Sequence, residues 1–421
     1  LIDYAPAPFE GLAEHGVNAD GEETEVQFDE NGKPLAIVFK TIADQYGRFS
    51  FFKVVSGKVT ADMTLKNMRN GNSEKLGHLY EVCGKKNTET KEVVCGDIAA
   101  VSKLNDTLTG DTLADPSLGI TLDGIDFAEP CYSQAIAPKV KGTEDKIAAG
   151  LTKLRDEDPT FTVVNNTETH QMVISGTGDI HLDVICSKLK SKFGVEVELS
   201  DAKVPYREKI RKAVSVEGKH KKQSGGHGQY GHVKMTFEPY TEGDYLFEEQ
   251  TFGGSVPKNF HPAVDKGIRE CMEHGVLAGY PLVGLHAILT DGSYHDVDSN
   301  ELSFKMAARL AYKAGIPQAN PCILEPLGIM KVYVPDSCMG DVIGDLNKRR
   351  GRILGMNPTE SGEQEVVAEV PMAEVSSYAI TLRSITQGRG WFTYKFERYE
   401  EAPPAVQQKV IEESKFVDEE E

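Results

Sequence analysis

Short apolar stretches separated by glycine-containing turns mark the first part of the chain. Residues 36–39 (AIVF) and 49–55 (FSFFKVV) are rich in β-branched and aromatic residues, which favour strands. Glycines follow at positions 47, 57, 71, 84, 96 and 110. Many short strands joined by regularly spaced turns are typical of a small closed barrel. Residues 10–34 are polar and acidic instead, and we predict a linker or long loop there.

A different pattern begins near residue 124. Ile147, Leu151 and Leu154 recur at helical spacing, which predicts a helix with Thr143 as its N-cap. Gly194 is placed to end a second helix. The remaining predicted elements are a hairpin over 161–174, the second helix over 180–193 and a strand over 195–199. This β-α-β-β-α-β order is typical of a ferredoxin-like domain.

The chain mixes strands and helices again after residue 201. Apolar positions predict helices over 262–274 and 299–313 with a strand over 282–289 between them. The run 298–301 (DSNE) reads as a capping box, and we interpret Asp298 as a helix cap. A strand over 329–334, a helix over 337–349, a hairpin, a helix and a strand then repeat the ferredoxin-like order. The residues from Ala402 onward are charged and helix-forming.

Length and composition bound the class of protein. At 421 residues the chain is too long for one core, so two to four domains are expected. Hydrophobic residues at 39% and charged residues at 26% fit an ordinary globular protein. Its apolar runs are shorter than the roughly 20 residues that a spanning helix needs. The first residues lack the pattern of a secretory signal, do not begin with Met, and read as if cut from a longer chain.

The cysteines and the net charge limit which compartment and which partners are expected. The seven cysteines are scattered, which argues against a disulfide framework or a zinc knuckle and favours a reducing cytoplasm. A net charge of −19 argues against a general nucleic-acid binder. Three basic islands interrupt the acidic chain, at residues 207–212 (REKIRK), 219–222 (KHKK) and 348–352 (KRRGR). Composition alone leaves open whether these are solvated faces or phosphate-binding sites.

Several longer strings carry a family resemblance. They are 96–100 (GDIAA), 109–113 (TGDTL), 154–159 (LRDEDP), 176–182 (GTGDIHL), 223–233 (QSGGHGQYGHV), 291–299 (DGSYHDVDS), 340–353 (GDVIGDLNKRRGRI) and 382–390 (LRSITQGRG). In this order they resemble the second to fifth domains of elongation factor G, a translational GTPase. His227 stands where the usual family pattern has Arg, and 376–378 (SSY) also departs, which favours an elongation factor G-like paralogue. The chain contains no G-x-x-x-x-G-K-[ST] loop, so we expect it not to bind GTP by itself.

The resemblance implies a multidomain α+β fold. A β-barrel would be followed by a ferredoxin-like domain, a ribosomal-protein-like βαβ tip domain and a second ferredoxin-like domain. The corresponding boundaries are 1–34 for a linker from a GTPase domain, 35–120 for the barrel, 121–200 for the first ferredoxin-like domain, 201–325 for the tip domain, 326–400 for the second ferredoxin-like domain and 401–421 for a C-terminal helix and tail.

The same resemblance implies a function. The chain would be the ribosome-binding part of a translocase that couples GTP hydrolysis, in another domain of the parent protein, to movement of tRNA and mRNA. Its partners would be both ribosomal subunits, rRNA and the tRNA–mRNA pair, and it would be a cytoplasmic monomer without membrane contact. No catalytic site or cofactor is expected in this chain, because GTP and Mg²⁺ would belong to the parent protein.

Three alternatives remain open at this point. One is a ribosomal protection or recycling factor of the same family, and another is a stand-alone RNA-binding protein. A metal-dependent hydrolase could use His295, Asp296 and Asp298, although no second histidine lies at a metal-ligand spacing.

Two groups of residues are candidates for RNA contact. Glycines let a backbone approach RNA closely, and contacts to sugar and phosphate position RNA without reading its sequence. By resemblance the first group meets the tRNA in the decoding centre and consists of Gln223, Ser224, Gly225, Gly226, His227, Gly228, Gln229, His295 and Asp296. By resemblance the second group meets large-subunit rRNA and consists of Arg349, Arg350, Arg352, Arg383, Gln387 and Arg389. The structural alternatives are a glycine-rich hairpin beside a surface histidine, and a basic helix end favoured by the helix dipole.

Overall fold

The structure is a computed structural model that describes residues 4, 6–11, 13–43, 47–84, 86–222 and 228–414. The chain divides into two compact units, residues 1–202 and 203–421, which are treated separately below. Among the described residues, no helix is both long enough and apolar enough to cross a bilayer. All seven cysteines are free, and Cys83 is exposed.

The first unit contains a curled, half-barrel sheet. Its strands and the small ladder beside them are β3 (Leu35–Ala43), β4 (Arg48–Ser56), β5 (Lys58–Thr60), β6 (Met63–Asn67), β7 (Ser73–Leu76), β8 (Leu79–Cys83), β9 (Lys86–Thr90), β10 (Glu92–Val94), β11 (Ile98–Ser102) and β12 (Thr112–Ala114). Eight of them pair in the order β7-β6-β12-β3-β4-β11-β8-β9, and β5 pairs with β10. Apolar side chains including Phe52, Val54, Leu65 and Leu113 fill its core. Since no ladder joins β7 to β9 among the described strands, the sheet is curled but not closed.

A polar hairpin precedes this sheet. β1 (Glu14–Val17) and β2 (Glu23–Val26) pair antiparallel, and β13 (Thr121–Leu122) adds a third strand beside β1. The prediction of a linker or long loop in this segment is therefore wrong for residues 14–26. Its polar residues concealed the strands, because these are stabilised by a partner about a hundred residues later in the chain.

The first ferredoxin-like domain has the predicted element order. It comprises β14 (Tyr132–Pro138), α1 (Glu144–Glu157), β15 (Thr162–Asn166), β16 (Gln171–Gly176), α2 (Asp179–Phe193) and β17 (Val197–Asp201). The strands form an antiparallel sheet in the order β15-β16-β14-β17. Ile147, Leu151 and Leu154 are buried as predicted, and Gly194 ends α2 with a φ of 67°. Thr143 is the N-cap residue, but its hydroxyl donates to the Val140 carbonyl and does not cap the helix.

The second unit begins with the tip domain. Its elements are β18 (Arg207–Lys209), β19 (Val214–Lys222), β20 (Gln229–Pro239), β21 (Tyr245–Glu249), α3 (His261–Met272), β22 (Leu285–Ser293) and α4 (Glu301–Gly315). The sheet order is β19-β20-β22-β21, with β21 parallel to β22. Helix α4 lies very close to this sheet, because a Cβ at Gly218 would be 2.1 Å from the Ala307 carbonyl oxygen. A Cβ at Gly231 would likewise be 2.3 Å from the Ser303 carbonyl oxygen, so the first turn of α4 is fixed against the start of β20.

The second ferredoxin-like domain completes this unit. It contains β23 (Cys322–Val334), α5 (Met339–Lys348), β24 (Arg352–Pro358), β25 (Gln364–Pro371), α6 (Tyr378–Thr386), β26 (Trp391–Glu401) and α7 (Pro404–Ser414). The strand order β26-β23-β25-β24 repeats that of the first ferredoxin-like sheet. β18 also pairs with β23, with Arg207 opposite Leu324, so the sheet crosses the predicted domain boundary at residue 325.

The start of α4 differs from the prediction. Its N-cap is Asn300, whose side-chain oxygen accepts a hydrogen bond from the Ser303 amide at 2.8 Å. Asp298 is therefore not the helix cap, and the predicted capping box over 298–301 is not formed. The carboxylate of Asp298 is left to make the contact between loops described next.

Candidate nucleic-acid interface

The first predicted group lies at one end of the tip-domain sheet. Gln223, Ser224, Gly225, Gly226 and His227 lie outside the described residues. The two strands that flank this loop are described up to the pair formed by Lys222 and Gln229. The Gln229 side-chain oxygen is 2.9 Å from Nε2 of His220 on the opposite strand.

His295 occupies the loop between β22 and α4. Its amide donates to Oγ of Ser299 at 2.9 Å, and its ring Nδ1 accepts from the amides of Asp298 and Val297 at 3.3 and 3.4 Å. Nδ1 also lies 3.5 Å from Oδ2 of Asp298, so two amides and a carboxylate hold this edge of the ring. The side chain is 57% exposed, so the imidazole is open to solvent. Asp296 is exposed beside it.

Asp298 connects the two loops. Its Oδ1 accepts from the Gly228 amide at 3.0 Å, and its carbonyl accepts from the Tyr230 amide at 2.8 Å. Oγ of Ser299 donates to the Tyr230 carbonyl at 2.8 Å. Segments about 70 residues apart in the chain are thereby held side by side, and His295 lies next to the end of the glycine-rich loop.

A second set of hydrogen bonds supports this arrangement from the sheet. Oγ of Ser293 lies 2.8 Å from the Tyr230 hydroxyl and 2.8 Å from Nδ1 of His232. Sequence reasoning did not single out these three residues as a cluster. The strand alternation could have placed Tyr230 and His232 on one face, but only the register with β22 brings Ser293 between them.

Charged side chains surround these loops. Lys219, Lys221 and Lys222 are exposed on β19, and the Lys219 ammonium lies 5.9 Å from the centre of the Tyr230 ring. A hydrogen bond from Lys234, helped by the Gly292 amide and the Ser255 side chain, lowers the pKa of Asp291 to about 2. The β19 lysines belong to one of the three basic islands of the sequence, and they make this edge of the sheet suited to phosphate.

The structure divides the second predicted group. Arg349 is only 14% exposed and bonds to Asp345, the Glu374 carbonyl, Ser377 and Thr381. Arg350, with a φ of 60°, makes a two-pronged contact with the buried Glu325, which raises the pKa of the guanidinium. These two arginines therefore make bonds within the domain, Arg349 to α5 and α6 and Arg350 to β23.

The other members of that group are more open. Arg352 is 68% exposed and donates to Glu369 at 3.0 Å. Arg383 is half-buried, whereas Gln387 and Arg389 are exposed in the loop that follows α6. Gln387 adopts a φ of 55°, in the left-handed region, where its amide donates to the Arg383 carbonyl. The exposed members of the group are therefore Arg352, Gln387 and Arg389, of which Arg389 also donates from Nε to the Thr386 carbonyl at 3.3 Å.

Metal chemistry finds no support in this part of the molecule. Across the ranges that the structure describes, no group of three or more His, Cys, Asp and Glu side chains could hold a metal ion. Asp298 in particular is engaged with the Gly228 amide.

Comparisons with known proteins cover nearly the whole chain. Models of elongation factor G match domain 2 over residues 33–115, domain III over 127–201, domain IV over 202–320 and the C-terminus over 322–410. An elongation factor G-like protein of Thermotoga maritima is 45% identical over 415 residues, which make up 98% of this chain and 61% of that protein. A crystal structure of a Thermus thermophilus protein is 38% identical with a TM-score of 0.75 and covers 91% of this chain and 58% of its own.

The matches show both the family of this chain and which of the family's domains it contains. The chain spans about three fifths of the length of these relatives. The matched segments follow one another in the order of the family's own domains. The chain therefore belongs to the elongation factor G family and carries its domains II, III, IV and C-terminal domain.

Proposed function

We propose that this chain is the ribosome-binding part of an elongation factor G-like translocase. In the intact protein, GTP hydrolysis with Mg²⁺ in another domain would drive movement of tRNA and mRNA during elongation in the cytoplasm. The partners would be both ribosomal subunits, their rRNA and the tRNA–mRNA pair, and the protein would act as a monomer.

The observation that carries this proposal is the joining of the two tip loops by Asp298. It places the exposed imidazole of His295 beside the end of the glycine-rich loop, which follows the exposed lysines of β19 in the chain. An imidazole and cations suit sugar and phosphate oxygens, which are the same in every tRNA. Such a surface can hold any tRNA without reading its sequence, as translocation requires.

The exposed arginines of the C-terminal domain form the second contact of the proposal. Arg352 and Arg389 would bind large-subunit rRNA through charge-assisted hydrogen bonds, and Gln387 at the end of α6 would contact the same RNA. Their exposure supports this role, whereas the internal bonds of Arg349 and Arg350 point to a structural one.

The test is His295→Ala in the full-length protein. Because His295 is exposed and contributes no core contact, we expect a melting temperature and ribosome-dependent GTP turnover close to wild type, with mRNA movement slowed at least tenfold. His295→Gln should restore part of the rate, since it keeps a side-chain donor. His274→Ala, an exposed histidine of the same domain beyond α3, is the matched control. Unchanged movement in His295→Ala would overturn the proposed role of the tip.

A further inference from the structure

The sheet of the C-terminal domain has two unlike faces. Successive side chains of a strand point to opposite faces. Phe392 lies on the helix-covered face, with its ring edge-on to that of Tyr378 in α6 at 5.0 Å. Trp391 therefore lies on the opposite face, where Lys331 of β23 and Lys395 of β26 are also exposed. That second face carries aromatic and charged side chains together with the partly exposed Ile329 and Val367.

Trp391 is held against a second aromatic ring on this open face. It pairs across the strands with Tyr333, and the two rings stack in parallel, with centroids 4.0 Å apart and 13° between planes. The Tyr333 hydroxyl donates to Glu365 at 2.8 Å, which fixes the orientation of the Tyr333 ring. The indole remains 50% exposed. A large aromatic side chain is thus oriented before any partner arrives, so little conformational entropy is lost on binding.

Three cationic residues lie near Trp391 in the sequence or in the strand register. Lys331 is the diagonal cross-strand neighbour of Trp391, and it also reaches Glu365 at 3.3 Å. Arg389 is exposed two residues before Trp391, in the loop after α6, and Lys395 is exposed further along the same strand. Besides the Lys331–Glu365 pair, the exposed Arg389 and Lys395 add positive charge in a chain whose net charge is −19, which favours an anionic partner.

We propose that Trp391 is a stacking site for an unpaired RNA base. The base would lie against the free surface of the indole, and Arg389 and Lys331 would contact the phosphates on either side of it. Flat aromatic side chains with nearby cations bind single-stranded RNA in this way, since every base has a π-face. This inference takes from the proposed function only that the partner is RNA. It adds that the RNA bound at Trp391 is unpaired.

The chain provides its own reporter, because Trp391 is its single tryptophan. Titration of the protein with a short oligouridylate should quench the tryptophan fluorescence saturably, and an RNA duplex of the same length should not. The affinity for the oligouridylate should fall with rising salt, because phosphate contacts release counterions. Absence of quenching by the single strand, or equal quenching by the duplex, would overturn the proposal.

Three variants distinguish a loss of base stacking from a loss of folding. Anisotropy of a labelled oligouridylate should show binding about tenfold weaker for Trp391→Ala and within about threefold of wild type for Trp391→Phe. Phe396→Ala is the matched control, because Phe396 is on the same strand and 51% exposed. Circular dichroism of each variant shows whether it is folded, and the Phe variant keeps the test decisive if the Ala variant is not. Equal binding by Trp391→Ala and wild type would refute the stacking site.

The two proposals fail separately. If His295→Ala slows mRNA movement but oligouridylate leaves Trp391 unquenched, the proposed function stands and the stacking site falls. If oligouridylate quenches Trp391 but His295→Ala moves mRNA at the wild-type rate, the stacking site stands and the proposed function falls. Tryptophan fluorescence that changes with ribosomal protein but not with RNA would mark a protein-docking face and overturn the stacking proposal.

Discussion

Replacing Arg349 with Ala should destabilise the second unit of the chain. The side chain links the end of α5 to the start of α6 through hydrogen bonds of 2.7–3.1 Å to Asp345, Glu374, Ser377 and Thr381. Hydrogen bonds to a charged group contribute roughly 1.5–3 kcal/mol each, but bonds that share one side chain are not additive. We expect a loss of about 3 kcal/mol, since the guanidinium is largely buried and its carbonyl and hydroxyl partners are left unpaired.

Thermal unfolding followed by circular dichroism measures this effect. For a unit of about 200 residues, 3 kcal/mol corresponds to a melting temperature lower by roughly 6–12 °C. Arg352→Ala, from the same basic stretch, is the control and should stay within about 0.5 kcal/mol, because that side chain is mostly exposed. If both variants melt at the wild-type temperature, the internal bonds of Arg349 contribute nothing and the reasoning is refuted. A binding defect in any Arg349 variant therefore has to be read together with its stability.

Two further predictions concern the tip domain. Asp298→Ala should slow mRNA movement about as much as His295→Ala and leave GTP turnover unchanged, because the Gly228 amide loses its acceptor. Asp298→Asn should recover part of the rate, because it keeps an oxygen at that position. Equal rates of mRNA movement for wild type and Asp298→Ala would show that the loops need no such link. The pKa of Asp291 is lowered to about 2 by Lys234, from roughly 3.9 in the unfolded chain, so its charge stabilises the fold above about pH 4 and this contribution disappears as the pH falls to about 2. Urea unfolding of wild type and Asp291→Asn should differ by a constant amount above pH 4 and converge below it, and a difference that persists at pH 2 would exclude this cause.

Local patterns in the sequence were enough to predict the regular elements. The helical spacing of Ile147, Leu151 and Leu154 gave α1, and Gly194 gave the end of α2, because both depend on residues within one or two turns. The same reading gave two ferredoxin-like element orders, which the two sheets confirm. It missed the hairpin over residues 14–26, whose polar strands depend on pairing with residues 121–122.

The candidate site was predictable only in part. The sequence and its family resemblance pointed to His295 and to the arginines of 349–352, but could not say which of them face solvent. Arg349 and Arg350 turn inward because their partners, Thr381 and Glu325, lie 32 and 25 residues away in the chain. Side-chain type gives the charge of a residue, but whether that charge is free depends on what the fold places opposite it.

The sequence alone therefore determined most of the helices and strands, since hydrophobic periodicity and turn residues act over a few positions. Tertiary structure decided the chemistry of the surface. It moved Asp298 from a predicted helix cap to a link with Gly228, and it placed Trp391 against Tyr333 with one indole surface exposed. Both outcomes depend on strand register between residues about 60–70 positions apart, and the energies of such pairings belong to the folded sheet and not to any local stretch of chain.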